Sequence, residues 1–136
     1  MKLKNIAELT VGESLDEIQV GPVTRLSLIK YAGVSGDFNP IHTIEEEAEK
    51  AGLPAIIAHG MWTMGNLARV FTPFLGNGFI KEYSIRFRGM VFLNDVVTLK
   101  ATVEKIHENT VTFTVSAINQ EKKDVLKGQV VFCPSL

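Results

Sequence analysis

The chain has 136 residues, enough for one hydrophobic core and not for two, so a single domain over residues 1–136 is expected. Its formal charge is −1, from 14 Lys and Arg against 15 Asp and Glu, which offers no general attraction to nucleic acid or an anionic membrane. One cysteine, Cys133, cannot form an internal disulfide; this fits a cytoplasmic location, and its apolar surroundings mark it as a small buried residue rather than a nucleophile.

The first residues, MKLKNIAELTVGESL, carry two lysines without a long apolar run behind them, so they do not read as a signal peptide. No stretch is long enough to span a membrane as a helix, and there is no internal repeat, low-complexity tract or linker. Residues Leu15 to Val20 suit a first strand ending at Gly21-Pro22. Thr24 then suits a helix N-cap, followed by Leu26, Ile29 and Ala32 at helical spacing, with Gly33 and Gly36 weakening the end. Thr43 is expected to cap a second, short helix. Glu45, Glu46 and Glu47 in its first turn suit the positive end of the helix dipole better than they suit a metal, and Gly52 and Pro54 end it.

From about His59 to Phe71 the chain is apolar nearly all round, with Thr63, Asn66 and Arg69 as a narrow polar stripe. That distribution predicts a central helix buried on most sides. Four segments then alternate with period two: Tyr83 to Phe87, Val96 to Glu104, Thr110 to Ile118, and from Val125 onward. They predict strands, with hairpin connections at 107–109 and 120–124. The sum is an α+β fold: an antiparallel meander curled around a buried helix.

Between the first two helices lies Tyr31-Ala-Gly-Val-Ser-Gly-Asp37-Phe-Asn-Pro-Ile-His42. On an unbroken helix Asp37 and His42 would sit about 140° apart, at about 100° per residue. Asn39-Pro40 breaks the helix and Gly36 adds backbone freedom, so a bent loop can aim both side chains at one point. This stretch, with Ala48 after it and Ala58-His59-Gly60-Met61 downstream, resembles the hydratase-2 motif of the MaoC-like family of (R)-specific enoyl-CoA hydratases and (3R)-hydroxyacyl dehydratases. It reads similarly to the short subunits of mycobacterial fatty-acid-synthase-II dehydratases, and the likeness covers nearly the whole chain.

The resemblance implies a hotdog fold, a dimer, and reversible hydration of trans-2-enoyl thioesters to (3R)-hydroxyacyl thioesters. Neither metal nor redox cofactor is implied; coenzyme A or the phosphopantetheine of an acyl-carrier protein enters as part of the substrate. A homodimer or higher homo-oligomer is expected, with a heterodimer of two hotdog subunits as the alternative. By the same resemblance Asp37 and His42 hold the catalytic water. Gly60 stands where the central helix should begin, so its N–H has no partner within the helix and suits an enolate oxygen; the competing reading is that Gly60 only relieves crowding.

Asn39, Ala58, His59, Met61 and Trp62 complete the candidate substrate site. Each has a plainer reading. Asn39 can brace the loop, His59 can orient the loop or the helix start rather than act as a second base, and Met61, Trp62 and Met64 can be core residues. Lys81, Arg86 and Arg88 could meet carrier phosphates or simply be solvated. Some hydratases of the family carry a serine late in the central helix; this chain has Ala68 at the matching position. Two other functions stay open: an acyl-binding partner subunit without its own turnover, and a hotdog thioesterase, which would direct water to the thioester carbon.

Overall fold

The computed structural model describes residues 5–135. Its elements are β1 (Ile18–Val20), α1 (Arg25–Ser35), α2 (Glu45–Lys50), α3 (Gly60–Ala68), β2 (Gly78–Phe87), β3 (Val97–His107), β4 (Thr110–Ile118) and β5 (Asp124–Pro134). Short 3₁₀ turns cover Ile6–Glu8, Pro40–His42 and Arg69–Asn77.

The five strands form one antiparallel sheet in the order β1-β3-β4-β5-β2. Strands β3, β4 and β5 make the expected meander. Strand β2 departs from it: it lies at the far edge, paired with β5, not beside β3. The connecting segment 88–96 carries the chain across. It is tied to residues 56–58 by Ala58 N–H to Val91 O (2.7 Å) and Leu93 N–H to Ile56 O (3.2 Å). The buried Asp95 carboxylate secures its end, accepting from Phe92 N–H and the Gln120 amide at 2.9 Å each. Alternation says which face a side chain takes, not which strand lies next door, so the sequence could not show this crossing.

The alternation otherwise holds. Leu99, Ala101 and Val103 of β3, Phe113, Val115 and Ala117 of β4, and Leu126, Val130 and Phe132 of β5 are buried. They pack with Leu67, Val70, Phe71 and Phe74 of the long helical segment in one core. Phe71 is its centre: its ring meets Phe113 edge-on at 5.1 Å and stacks on Phe132 at 6.4 Å. The segment runs from Gly60 through Asn77, α-helical to Ala68 and 3₁₀ beyond, where Pro73 cannot supply an α-helical hydrogen bond. It is not buried all round. Met61, Gly65, Arg69 and Thr72, three or four residues apart, form an exposed stripe.

Thr24 caps α1 as expected, its Oγ1 accepting from Ser27 N–H at 3.1 Å. The buried face of α1 is Leu28 and Ala32, while Leu26 and Ile29 stay exposed. Thr43 does not cap α2. It closes the preceding 3₁₀ turn through its N–H to Pro40 O, and its carbonyl accepts from Arg25 Nη1 at 2.7 Å. Ile44 takes the cap position, and Arg25 also pairs with Glu45, so the arginine ties the two helices together. Among the described residues no helix is long and apolar enough to cross a membrane.

Candidate active site

Helix α1 ends at Gly36, whose φ of 77° turns the chain and sends its N–H back to Ala32 O. That left-handed turn costs glycine little and aims the next residues away from the helix axis. Asp37 Oδ1 accepts from Asn39 N–H at 3.1 Å, and Asn39 Oδ1 accepts from Ile41 N–H at 3.3 Å. These two side-chain turns replace the backbone bonds that Pro40 cannot make. They also commit Asp37 Oδ1 and leave Oδ2 free. The Asn39 amide oxygen thus serves the loop itself, which is the bracing role.

The Pro40–His42 turn then folds His42 back, and its Nε2 lies 4.0 Å from Asp37 Oδ2. The ring is 7% exposed and its Nδ1 is 2.7 Å from Ile57 O. A carbonyl only accepts, so Nδ1 carries the hydrogen; in the neutral ring Nε2 presents its lone pair toward the carboxylate. Two acceptors therefore face each other across a gap too wide for a direct bond.

His59 joins them. It stands at the N-cap of α3 without capping through its side chain. Its Nε2 lies 3.1 Å from the Asp37 carbonyl, its ring stacks on His42 at 3.8 Å with 22° between planes, and Tyr31 meets it edge-on at 4.8 Å. Burial holds the His59 imidazole below its usual pKa, partly countered by the bond to the Asp37 carbonyl.

Asp37, His42 and His59 have ligand-type atoms within 4.8 Å of one another. The arrangement does not suit an ion. Lone pairs lie in the ring planes, and two stacked imidazoles send theirs side by side rather than toward one centre.

Gly60 opens α3, and its N–H has no acceptor among the described residues. The Phe87 ring covers its Cα: a Cβ built there would lie 2.7 Å from Phe87 Cε1. A cavity of about 180 Å³ adjoins it, lined by Ile57, Ala58, Gly60, Thr63, Phe87 and Met90 among others. Ala58 and Gly60 therefore share a pocket at the helix start, one residue either side of His59. Met61 points outward at 57% exposure, and Trp62 packs against the core. Arg86 and Arg88 line a separate polar groove with Glu104, Lys127 and Gln129. Ala68 is the last residue of α3, partly buried.

Three participants were not singled out from sequence: Ile57, whose carbonyl sets the His42 tautomer; Phe87, which roofs Gly60; and Thr63, buried in the pocket wall. A backbone carbonyl leaves no sequence signal. Phe87 could have been noticed as the last inward position of β2, and Thr63 as a polar residue one turn after His59.

Residues 7–124 match the family described as the MaoC like domain. The chain is similar to the fatty acid synthase subunit beta of Aspergillus oryzae, 34% identical over 104 residues. That match takes in 73% of this chain and 5% of the fungal protein. It is 31% identical over 102 residues to 3-hydroxybutyryl-CoA dehydratase of Methylorubrum extorquens, covering 73% of this chain and 63% of the other. Among solved structures, R-Hydratase PhaJ1 from Pseudomonas aeruginosa superposes with a TM-score of 0.85. Its identity is 26%, covering 95% of this chain and 84% of that one. The chain thus spans a small fraction of the synthase and somewhat under two thirds of the dehydratase.

Proposed function

The chain belongs to the MaoC-like domain family and has the hotdog fold, and from that premise we propose that it is a hydro-lyase: one domain that reversibly adds water to trans-2-enoyl thioesters, giving (3R)-hydroxyacyl thioesters. The observation that carries the reading is the pair of facing acceptors, His42 Nε2 and Asp37 Oδ2, 4.0 Å apart, with His42 stacked on His59, the residue before Gly60. One water about 2.8 Å from each would donate a hydrogen to both and keep its lone pairs for the β-carbon. As its oxygen bonds to that carbon, a proton passes to the pair, and the C2–C3 π electrons move onto the thioester as an enolate. The same pair returns a proton to C2, so both additions fall on one face of the substrate.

Gly60 supplies the third requirement. Its N–H lies at the first turn of α3, at the positive end of the helix dipole, where negative charge on the thioester oxygen is favoured. The absent side chain makes room for the Phe87 ring, which lies where a Cβ would stand. Ala58 and the pocket wall would receive the acyl chain. Coenzyme A or phosphopantetheine belongs to the substrate, and the step needs no metal or redox cofactor. A cytoplasmic setting agrees with the single free, buried Cys133.

The test is loss of enoyl absorbance with crotonyl-CoA, followed by chiral analysis. Formation of the (3R)-hydroxy thioester is the expected result. Free acid and thiol instead would establish a thioesterase, and no turnover across short and medium chains on either carrier would favour the acyl-binding subunit.

A dimer is part of this reading. Strand β2 is a ten-residue sheet edge, and Phe79, Phe87, Met61 and Met90 are each about half or more exposed on it or near it. A long edge with apolar side chains invites a second hotdog chain. Light scattering is expected to give the mass of two chains; a monomer that gains activity only with a different hotdog chain would establish the heterodimer.

A further inference from the structure

We propose that His59 is the positioning residue of this site: a neutral imidazole, hydrogenated at Nε2, that clamps the Asp37 loop and the His42 ring together without exchanging protons itself. The inference rests on the reading of Asp37 and His42 as the water-holding pair.

Three observations converge on it. First, Asp37 sits in a loop whose other hydrogen bonds are local. Asp37 N–H goes to Ser35 Oγ, Asn39 N–H to Asp37 Oδ1, and Ile41 N–H to Asn39 Oδ1. Among the described residues, the bond from His59 to the Asp37 carbonyl is the one that ties residues 36–39 to a distant segment, 22 positions away. Asn39 N–H holds the carboxylate through Oδ1, so Oδ2 goes where the loop goes, and the His59 bond places the loop. Second, the His42 ring lies against His59 at 3.8 Å, and its Nδ1–H is held by Ile57, two residues before His59. The short segment 57–59 thus grips both members of the pair, one through a carbonyl and the other through an imidazole. Third, the protonation state of His59 is determined by its surroundings. The Asp37 carbonyl can only accept, so Nε2 bears the hydrogen. His59 Nδ1 is buried and has no hydrogen-bond partner, so a proton there would be buried without an acceptor.

The titratable groups facing His59 are Tyr31 from α1, Asp37 from the loop and His42 from the turn. A positive His59 stacked on His42 would oppose the charge His42 gains when it takes a proton. Burial lowers the pKa of His59 and so favours the neutral ring. The result is a clamp that holds geometry and leaves the proton traffic to its neighbours.

Nitrogen NMR of the imidazoles tests this directly. In the wild type His59 should show the Nε2–H tautomer and titrate below an ordinary histidine. Two variants separate its two grips. His59→Gln keeps a donor for the Asp37 carbonyl and loses the stack; His59→Phe keeps a ring and loses the donor. Each is expected to lower kcat on crotonyl-CoA roughly tenfold with KM changed less than about twofold, in protein that still melts cooperatively. His59→Phe, which keeps the ring volume, should also shift the Asp37 carbonyl carbon signal, a change that a merely space-filling histidine would not produce, while His42 keeps its Nδ1–H tautomer in both variants. A His59 that titrates at or above an ordinary histidine, or bears its hydrogen on Nδ1, overturns the clamp. So do two folded variants with wild-type kcat. If the wild type turns over no enoyl thioester, the hydratase reading fails, while the NMR result still decides the state of His59.

Discussion

Asp37→Asn and His42→Gln are each expected to slow hydration of crotonyl-CoA by about 10³-fold while the protein stays folded. In the Asn variant the amide oxygen can still accept from Asn39 N–H, as Asp37 Oδ1 does now. That turns the amide NH₂ toward His42 Nε2. A donor then stands where the water needs an acceptor, and it can close on the imidazole directly. The side chain is half exposed, so the change in stability should stay within about 0.5 kcal/mol. His42→Gln removes the ring nitrogen that faces Asp37 Oδ2 and would accept from the water. Its amide can still donate to Ile57 O, which limits the structural damage to about 1 kcal/mol. Since the two groups hold one water, the double variant should be little worse than either single one. Enoyl absorbance measures the rates and a circular-dichroism melt checks the fold. Unchanged activity in both variants would end the proposed mechanism, whatever the fold.

Gly128→Ala is expected to destabilise the protein by about 3 kcal/mol and to loosen β2 from the sheet. Gly128 pairs with Ile85 of β2 on one side and Val115 of β4 on the other. A Cβ there would lie 2.0 Å from Ser84 O and 2.6 Å from Ile85 Cα. Both are backbone atoms of a paired strand, so no side-chain rotation can relieve the overlap. Because β2 carries Phe87 over Gly60, the substitution should also reduce activity at the far end of the strand. Gly33→Ala provides the contrast. A Cβ at that position in α1 meets nothing within 4 Å, and alanine is the better helix former, so a gain of about 0.5–1 kcal/mol is expected. Urea unfolding of both variants measures the difference. Equal stability of Gly128→Ala and the wild type would contradict the close β2–β5 approach.

What could be read from the chain was what depends on neighbours in sequence. The Thr24 cap, the turn at Gly36, the alternating faces of β3, β4 and β5, and the bent Asp37–His42 loop each follow from a few residues acting over short range. The family likeness is also carried by contiguous motifs. Even local signals failed where a distant partner intervened: Thr43 is an acceptable cap in isolation, but the turn before it and Arg25 from α1 take its backbone, so Ile44 holds the cap position and α2 begins at Glu45.

Only the tertiary structure decided that β2 lies against β5, that Phe87 roofs Gly60, and that His59 stacks on His42 while holding the Asp37 carbonyl. It also showed that the long helical segment keeps one side exposed, where the apolar pattern had predicted a helix buried on most sides. The reason is the same in each case. Periodicity and capping specify which way a side chain faces within its own element. Which element it then meets is settled by how the whole core packs, and that information is spread across residues far apart in the chain.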